Sequence, residues 1–298
     1  MSFRNPIVET ELGKLEVCGN ANEVDADDLS GFVAIYANSP DPGQDWIGKA
    51  ESLLRHMRSG LSLAHGGRLQ TPRMDYVSGN VLRMTYFGGS GFRHELPPQY
   101  HLNHGPYIEA LARRFERQEP LSDVLWTALG WMHTDTGFDE TRFLSAMTAL
   151  ETIIENLLPE RRGTTVPKAE FKRLSSKFLQ IIEGDDGLSP MARQIFVGKL
   201  LGLNKKTFGE KIIALFDHYD IPKRDFDDAA IKFLVELRNT IVHKGTLQDD
   251  VDIWPQIIMA RELITRILLR EIGFSGQYCC YIGGRHDREF PGVSNFVP

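Results

Sequence analysis

From about residue 105 to residue 272 the sequence reads as a succession of amphipathic helices, and no other feature restricts the fold as strongly. Apolar periodicity predicts helices over 105–117, 121–133, 138–158, 166–183, 188–202, 206–218, 225–243 and 255–272. Pro120, Gly137, Pro159, Gly184, Pro190, Pro222, Gly245 and Gly273 fall between or at the ends of these stretches, where helix breakers belong. Helix 138–158 sets Phe143, Met147, Leu150, Ile154 and Leu157 on one stripe, and 225–243 does the same with Phe226, Ala230, Phe233, Leu237 and Ile241. Helices with one apolar stripe each close most economically as a bundle.

The first hundred residues differ. Ile7–Cys18 and Gly31–Tyr36 have strand-like composition, and Met74–Phe87 reads as two short strands around the turn signal Ser78-Gly79-Asn80. One helix interrupts them, with apolar residues at 46, 50, 53, 54, 57 and 61. The expected fold class is therefore α+β: a small β-rich domain over residues 1–104, then an all-α bundle over 105–275. Residues 276–298 show little periodicity and are expected to form an irregular C-terminal tail, either an ordered arm or disordered.

Of the 298 residues 42% are apolar and 25% charged, as in ordinary globular chains. No apolar run reaches the roughly 18–20 residues that span a bilayer. The opening MSFRNPIVETELGK lacks the basic-then-apolar pattern of a secretory signal. A cytoplasmic protein without a membrane partner is expected. The cysteines Cys18, Cys279 and Cys280 offer neither a disulfide framework nor a CxxC zinc pair. A net charge of −6 argues against a general nucleic-acid coat, since nonspecific binding to phosphates runs on Lys and Arg. The charge is uneven, at −5 over residues 1–136 and −1 over 137–298, so RNA handling is expected in the second half.

The sharpest local signal is Leu237-Arg238-Asn239-Thr240-Ile241-Val242-His243-Lys244-Gly245 at a helix end, with Gly245 placed to cap it. Asn239 and His243 are four apart and share a face. At 100° per residue, Arg238 and His243 lie roughly 140° apart on an ideal helix. Either the last turn unwinds or a second chain completes the site. A histidine can move a proton near neutral pH, an arginine can grip a phosphate, and an asparagine can orient either group.

The segment RNTIVH, residues 238–243, resembles the Arg, Asn, three residues, His signature of HEPN domains, which occur in many prokaryotic toxins, phage-defence nucleases and CRISPR-associated ribonucleases. Phe143–Glu151 looks like the early "ALE" helix of ApeA-like HEPN proteins, and Ala50–Gly67, ending in Leu-Ser-Leu-Ala-His-Gly-Gly, is similar to the N-terminal region of that group. The resemblance covers residues 105–272, and 1–104 more loosely. It implies a HEPN helical bundle and a metal-independent endoribonuclease without cofactor, in which Arg238, Asn239 and His243 are catalytic and the RNA 2′-hydroxyl is the nucleophile. It further implies a composite site at the interface of a homodimer or higher homo-oligomer, a role in phage defence or toxicity, and a regulatory partner protein. Some members have lost catalysis and only bind or scaffold. That alternative, and a ligand-sensing dimer that binds RNA or a partner protein, stand beside the enzyme reading.

Other candidates are supporting ones. Glu151, at the edge of its stripe, is either a partly buried carboxylate supporting Arg238 or an exposed flank residue. Arg161, Arg162, Lys168, Lys172, Arg173 and Lys177, joined by Lys244, either track an RNA backbone or form a solvated helix face. His101 and His104, followed by Tyr107, have helical metal-ligand spacing but no third ligand, and are read as loop. Gly88-Gly89-Ser90-Gly91 lacks the Gly-Lys-Ser/Thr ending of a phosphate loop. Trp126 and Trp131 are read as core or interface anchors.

Overall fold

A computed structural model describes residues 6–19, 31–40, 42–87, 98, 104–117, 120–132, 134, 136–245 and 252–292; His101 and Gly88–Gly91 lie outside them. In chain order the elements are β1 (Ile7–Thr10), β2 (Gly13–Gly19), β3 (Gly31–Tyr36), α1 (Gln44–His65), β4 (Arg73–Ser78), β5 (Val81–Tyr86), α2 (His104–Arg117), α3 (Asp123–Met132) and α4 (Asp139–Leu157). They continue with a 3-10 turn (Glu160–Arg162), α5 (Lys168–Glu183), α6 (Pro190–Gly202), α7 (Phe208–Tyr219), α8 (Asp228–Lys244), α9 (Trp254–Glu271), β6 (Gly276–Cys280) and β7 (His286–Phe290). The class is α+β, with antiparallel strands first and helices dominating after residue 104. His104, expected in a loop, is the first residue of α2. Among the described residues no helix is long and apolar enough to cross a membrane.

Compactness divides the chain at Thr152 and Leu247. One unit is Met1–Thr152 with Leu247–Pro298, and the other is Ile153–Thr246.

In the first unit β1, β2 and β3 form an antiparallel sheet in sequence order. Leu15 faces Ile35 and Val17 faces Val33 across the β2–β3 ladder, so alternation gathers one inward apolar face. Gly13 turns the β1–β2 hairpin at φ 125°; a Cβ there would meet the Tyr36 carbonyl oxygen at 2.1 Å, so only glycine fits. The sheet shares one core with Leu53 and Met57 of α1, Ile108 and Leu111 of α2, Leu269 at the end of α9, and Tyr278 and Phe290. Helices α1 and α2 approach closely at Gly60, where a Cβ would meet Leu111 Cδ2 at 2.2 Å, and Tyr107 Oη donates to the Gly60 carbonyl at 2.6 Å.

The expected irregular tail is corrected over 276–290. Strands β6 and β7 pair antiparallel from Gly276↔Phe290 to Cys280↔His286, across a turn with Gly283 and Gly284 at φ 73° and 106°. Polar residues such as Gln277, Asp287 and Glu289 hide the pattern, because only Tyr278, Cys279, Cys280 and Phe290 are buried. The hairpin also closes a buried ionic cluster on α9. Glu262 Oε1 accepts from Arg266 Nε at 2.8 Å and from Tyr278 Oη at 2.7 Å, while Arg266 Nε also reaches Tyr278 Oη at 3.2 Å. Removing one partner of such a pair costs about 3–5 kcal/mol, because the other is left charged and buried.

The second unit holds the end of α4 and helices α5 to α8. A capping box starts α7, with Thr207 and Glu210 exchanging hydrogen bonds. Asn204 is buried and its amide serves as a backbone surrogate, accepting from Val166 N at 2.9 Å and donating to Val166 O at 3.0 Å. Ile212, Leu215 and Phe216 of α7 and Ile231 and Leu234 of α8 are buried, and the Phe216 and Phe226 rings meet edge-to-face at 5.7 Å. The α4 stripe is as expected for Phe143, Met147, Leu150 and Ile154, all buried; Leu157 is half-buried.

One buried histidine yields a prediction. His56 Nε2 lies 2.8 Å from the Leu111 carbonyl, and its Nδ1 accepts from Leu121 N at 3.2 Å, which assigns the proton of the neutral ring to Nε2. Burial pushes the imidazole down to about 4, against the Leu111 hydrogen bond, and the Arg114 charge adds to the fall. The unfolded ring titrates near 6.5. His56 therefore contributes fully above that pH, and its contribution is lost as pH falls from about 6.5 to about 4, by about 3 kcal/mol. Urea unfolding at pH 7.5, 6.0 and 4.5 should show this loss in the wild type and a flatter profile in His56→Leu.

Candidate functional site

Helix α8 is defined at both ends by its own residues. Asp227 is the N-cap, its Oδ1 accepting from Ala230 N at 2.7 Å. Gly245 closes the other end at φ 76°, its N–H donating to the Ile241 carbonyl at 2.9 Å. Because Asp227 starts the helix there, Phe226 lies outside it. The buried stripe runs Ile231, Leu234, Leu237, Ile241, in place of the expected Phe226, Ala230, Phe233, Leu237, Ile241. Ala230 is half-buried and Phe233 is 46% exposed.

That stripe decides what the motif residues do. Arg238, beside buried Leu237, is half-buried, while Asn239, His243 and Lys244 are exposed. Arg238 Nη1 donates to Asn239 Oδ1 at 3.2 Å, so the two polar groups are held together. His243 shares the Asn239 face, one turn on. The helix stays regular through Lys244, which removes the unwinding alternative. Arg238 and His243 therefore remain roughly 140° apart around the axis. One copy of α8 thus presents two polar sides, an Arg–Asn side and an Asn–His side.

Residues 144–278 match the family model for Apea-like HEPN. The C-terminal half carries an Apea-like HEPN domain. No curated protein and no solved structure matches the chain. The HEPN match contains α8 entire, with Arg238, Asn239 and His243, as well as Glu151 and the basic segment around α5.

The other expected residues are placed as follows. Glu151 is half-buried on α4 in the first compact unit, whereas Arg238 belongs to the second. Arg161 and Arg162 stand on the 3-10 turn, and Lys168, Lys172, Arg173 and Lys177 on α5; all six are exposed. Lys168 pairs with Glu160 at 2.5 Å. On α5, Lys168 and Lys172 form one row and Arg173 and Lys177 another, so the basic residues spread over more than one face.

His218 on α7 was not legible as a candidate in the sequence. Its imidazole is pushed down by burial and then by Arg162 and Arg161, which the fold brings near it from the 3-10 turn. Only the packing of that turn on α7 creates this cluster. Among the described residues, no group of three or more His, Cys, Asp or Glu side chains is placed to hold a metal ion. Cys18, Cys279 and Cys280 are free thiols, and burial pushes those of Cys279 and Cys280 up.

The α8 terminus is testable apart from activity. A Cβ at Gly245 would meet nothing within 4 Å, so Gly245→Ala costs only the left-handed backbone penalty, about 1 kcal/mol. Gly245→Asn should cost less, because asparagine tolerates that conformation. Urea unfolding of the two variants should rank them in this order.

Proposed function

We propose that this protein is a metal-independent HEPN endoribonuclease that acts in phage defence or as a toxin, with its helical domain over 105–275. HEPN domains are generally associated with ribonuclease activity in such systems. The observation that supports the reading is the Arg238-Asn239-x3-His243 motif on the last turns of a capped, regular α8, with Asn239 and His243 open to solvent.

In the proposed reaction the RNA supplies its own nucleophile. The 2′-oxygen attacks the adjacent phosphorus, a base takes the 2′-hydroxyl proton, and the bond from phosphorus to the 5′-oxygen breaks. The leaving oxygen takes up a proton, giving a 2′,3′-cyclic phosphate and a 5′-hydroxyl. His243 is suited to the proton transfers, Arg238 to the charge that builds on the phosphoryl oxygens, and Asn239 to orienting Arg238, to which it is hydrogen-bonded. Since one regular helix keeps Arg238 and His243 on different sides, the working site takes Arg238 from one copy and His243 from another. The protein is a homodimer in this reading, and a regulatory partner protein acts on the assembled site. Lys244, Arg161, Arg162, Lys168, Lys172, Arg173 and Lys177 are the residues that steer the RNA strand.

Single-turnover cleavage of a single-stranded RNA tests this. His243→Ala and Arg238→Ala should each slow cleavage by about 10²–10⁴-fold, and Asn239→Ala by less, with circular dichroism unchanged. An equimolar mixture of the His243→Ala and Arg238→Ala chains should regain part of the activity, since one of its two sites is intact. Cleavage by His243→Ala at the wild-type rate would replace the enzyme by the non-catalytic scaffold. In a second measurement, cleavage should persist in EDTA and leave 2′,3′-cyclic phosphate ends; loss in EDTA with recovery in magnesium would overturn the metal-independent mechanism.

A further inference from the structure

We propose that Arg58, Arg68 and Trp126, all in the first compact unit, form a phosphate-binding site on residues distinct from the Arg238/His243 motif. Arg58 lies on α1, Arg68 just beyond its end, and Trp126 on α3. Their guanidinium carbons lie over the Trp126 indole at 4.2 and 4.6 Å from the ring centroid, so two positive charges are gathered at one ring.

The fold builds this arrangement. Helix α1 ends at Gly66, in the left-handed conformation at φ 69°, with Gly66 N and Gly67 N donating to the Leu63 and Ser62 carbonyls at 3.0 and 3.1 Å. The fully buried Ser62 then ties both arginine segments together. Its hydroxyl donates to the Arg58 carbonyl at 2.7 Å and accepts from Leu69 N at 3.0 Å. Arg68 lies along α3, and a Cβ at Gly130 would stand 3.5 Å from its Nη1. The glycine pair and Ser62 belong to the Leu-Ser-Leu-Ala-His-Gly-Gly segment, for which the α8 motif has no use.

What the pair lacks is a carboxylate in direct contact. Some arginines of this unit have one, such as Glu271 for Arg114 and Glu262 for Arg266. Among the described residues neither Arg58 nor Arg68 has one, and the Nε of each is buried without a hydrogen-bond acceptor. Burial, Arg68 and Arg55 all press against the Arg58 charge, with Asp123 alone supporting it. Two adjacent planar forks offer several N–H donors and two positive charges. A phosphate group matches both, with oxygens enough for two arginines and a charge near −2 as a monoester. A planar base is a poorer match, because two guanidinium groups already lie over the indole.

Phosphoryl oxygens come as a free ion, on a mononucleotide or along an RNA strand, so calorimetry on the full chain uses three probes at constant ionic strength. These are inorganic phosphate, adenosine 5′-monophosphate and a 2′-O-methyl RNA octamer, which the reaction proposed above cannot cut. Saturable binding of at least one probe is expected, at least tenfold weaker in Arg58→Gln and in Arg68→Gln. It should be unchanged in Lys49→Gln, which removes an exposed charge from α1. The strongest probe names the source. Arg58→Lys and Arg68→Lys keep the charge and lose the fork; they serve where a Gln variant fails to fold, and they too should bind at least tenfold more weakly. No binding of any probe, or equal affinity in the wild type and the folded Arg58 and Arg68 variants, would overturn the site. A ribonuclease without phosphate binding here would sink this inference alone, and phosphate binding without cleavage would spare it.

Discussion

Helix α9 is buried along nearly its whole length, yet it carries Arg261, Glu262, Arg266 and Arg270, each less than a tenth exposed. Charges withdrawn from water need partners inside the protein. The first unit is arranged around supplying them. Arg266 and Glu262 pair with each other and with Tyr278 of β6. Arg261 reaches the Met132 carbonyl at the end of α3, at 3.2 Å, and Arg270 reaches the Pro291 carbonyl just past β7, at 3.1 Å, and lies over the Phe290 ring. Glu271 takes Arg114 of α2 at 2.8 Å. Segments far apart in sequence are thus drawn to one helix by the requirement that its charges be satisfied.

Charge has a different role on α8. Its apolar stripe consists of Ile231, Leu234, Leu237 and Ile241, and its polar residues flank that stripe at the exposed end. Arg238, hydrogen-bonded to its neighbour Asn239, and His243, on the last turn, lie beside that stripe and outside it. The regularity of the helix fixes their separation, because no unwound turn lets Arg238 swing toward His243. The reading of a site shared between copies follows from that rotation of roughly 140°.

The two clusters absent from any sequence pattern, His218 with Arg161 and Arg162 and the Arg58/Arg68/Trp126 stack, share one cause. Each joins residues from different elements through packing of short turns. Periodicity places a residue on a face of its own helix and has no information about which residue of another element will lie opposite. Trp126 illustrates the point: as an apolar residue on α3 it reads as an anchor, and its two arginine neighbours emerge only when the end of α1 is folded over it.

Helix positions, the strand-forming segments of the N-terminal part, the β4–β5 hairpin and the motif at the end of α8 were legible in the sequence, because each depends on local spacing and on Pro, Gly or capping residues within a few positions. The α4 stripe is an example, with Phe143, Met147, Leu150 and Ile154 all buried as their spacing requires. On α8 Leu237 and Ile241 are buried as expected, whereas Ile231 and Leu234 take the places expected of Ala230 and Phe233, and Phe226 is buried outside the helix that Asp227 caps. The hairpin at 276–290 could not be read locally, since its polar strands become ordered only through Tyr278, Cys280 and Phe290 in a core built mostly by residues 15–112. By itself the sequence determined the helices, the N-terminal strand segments and the motif, through interactions spanning a turn or two of chain. The tertiary structure alone decided the buried pairing of α9, the return of residues 247–298 to the N-terminal unit, and the meeting of Arg58 with Arg68 on one indole. Those depend on contacts between residues distant in the chain, which local periodicity does not encode.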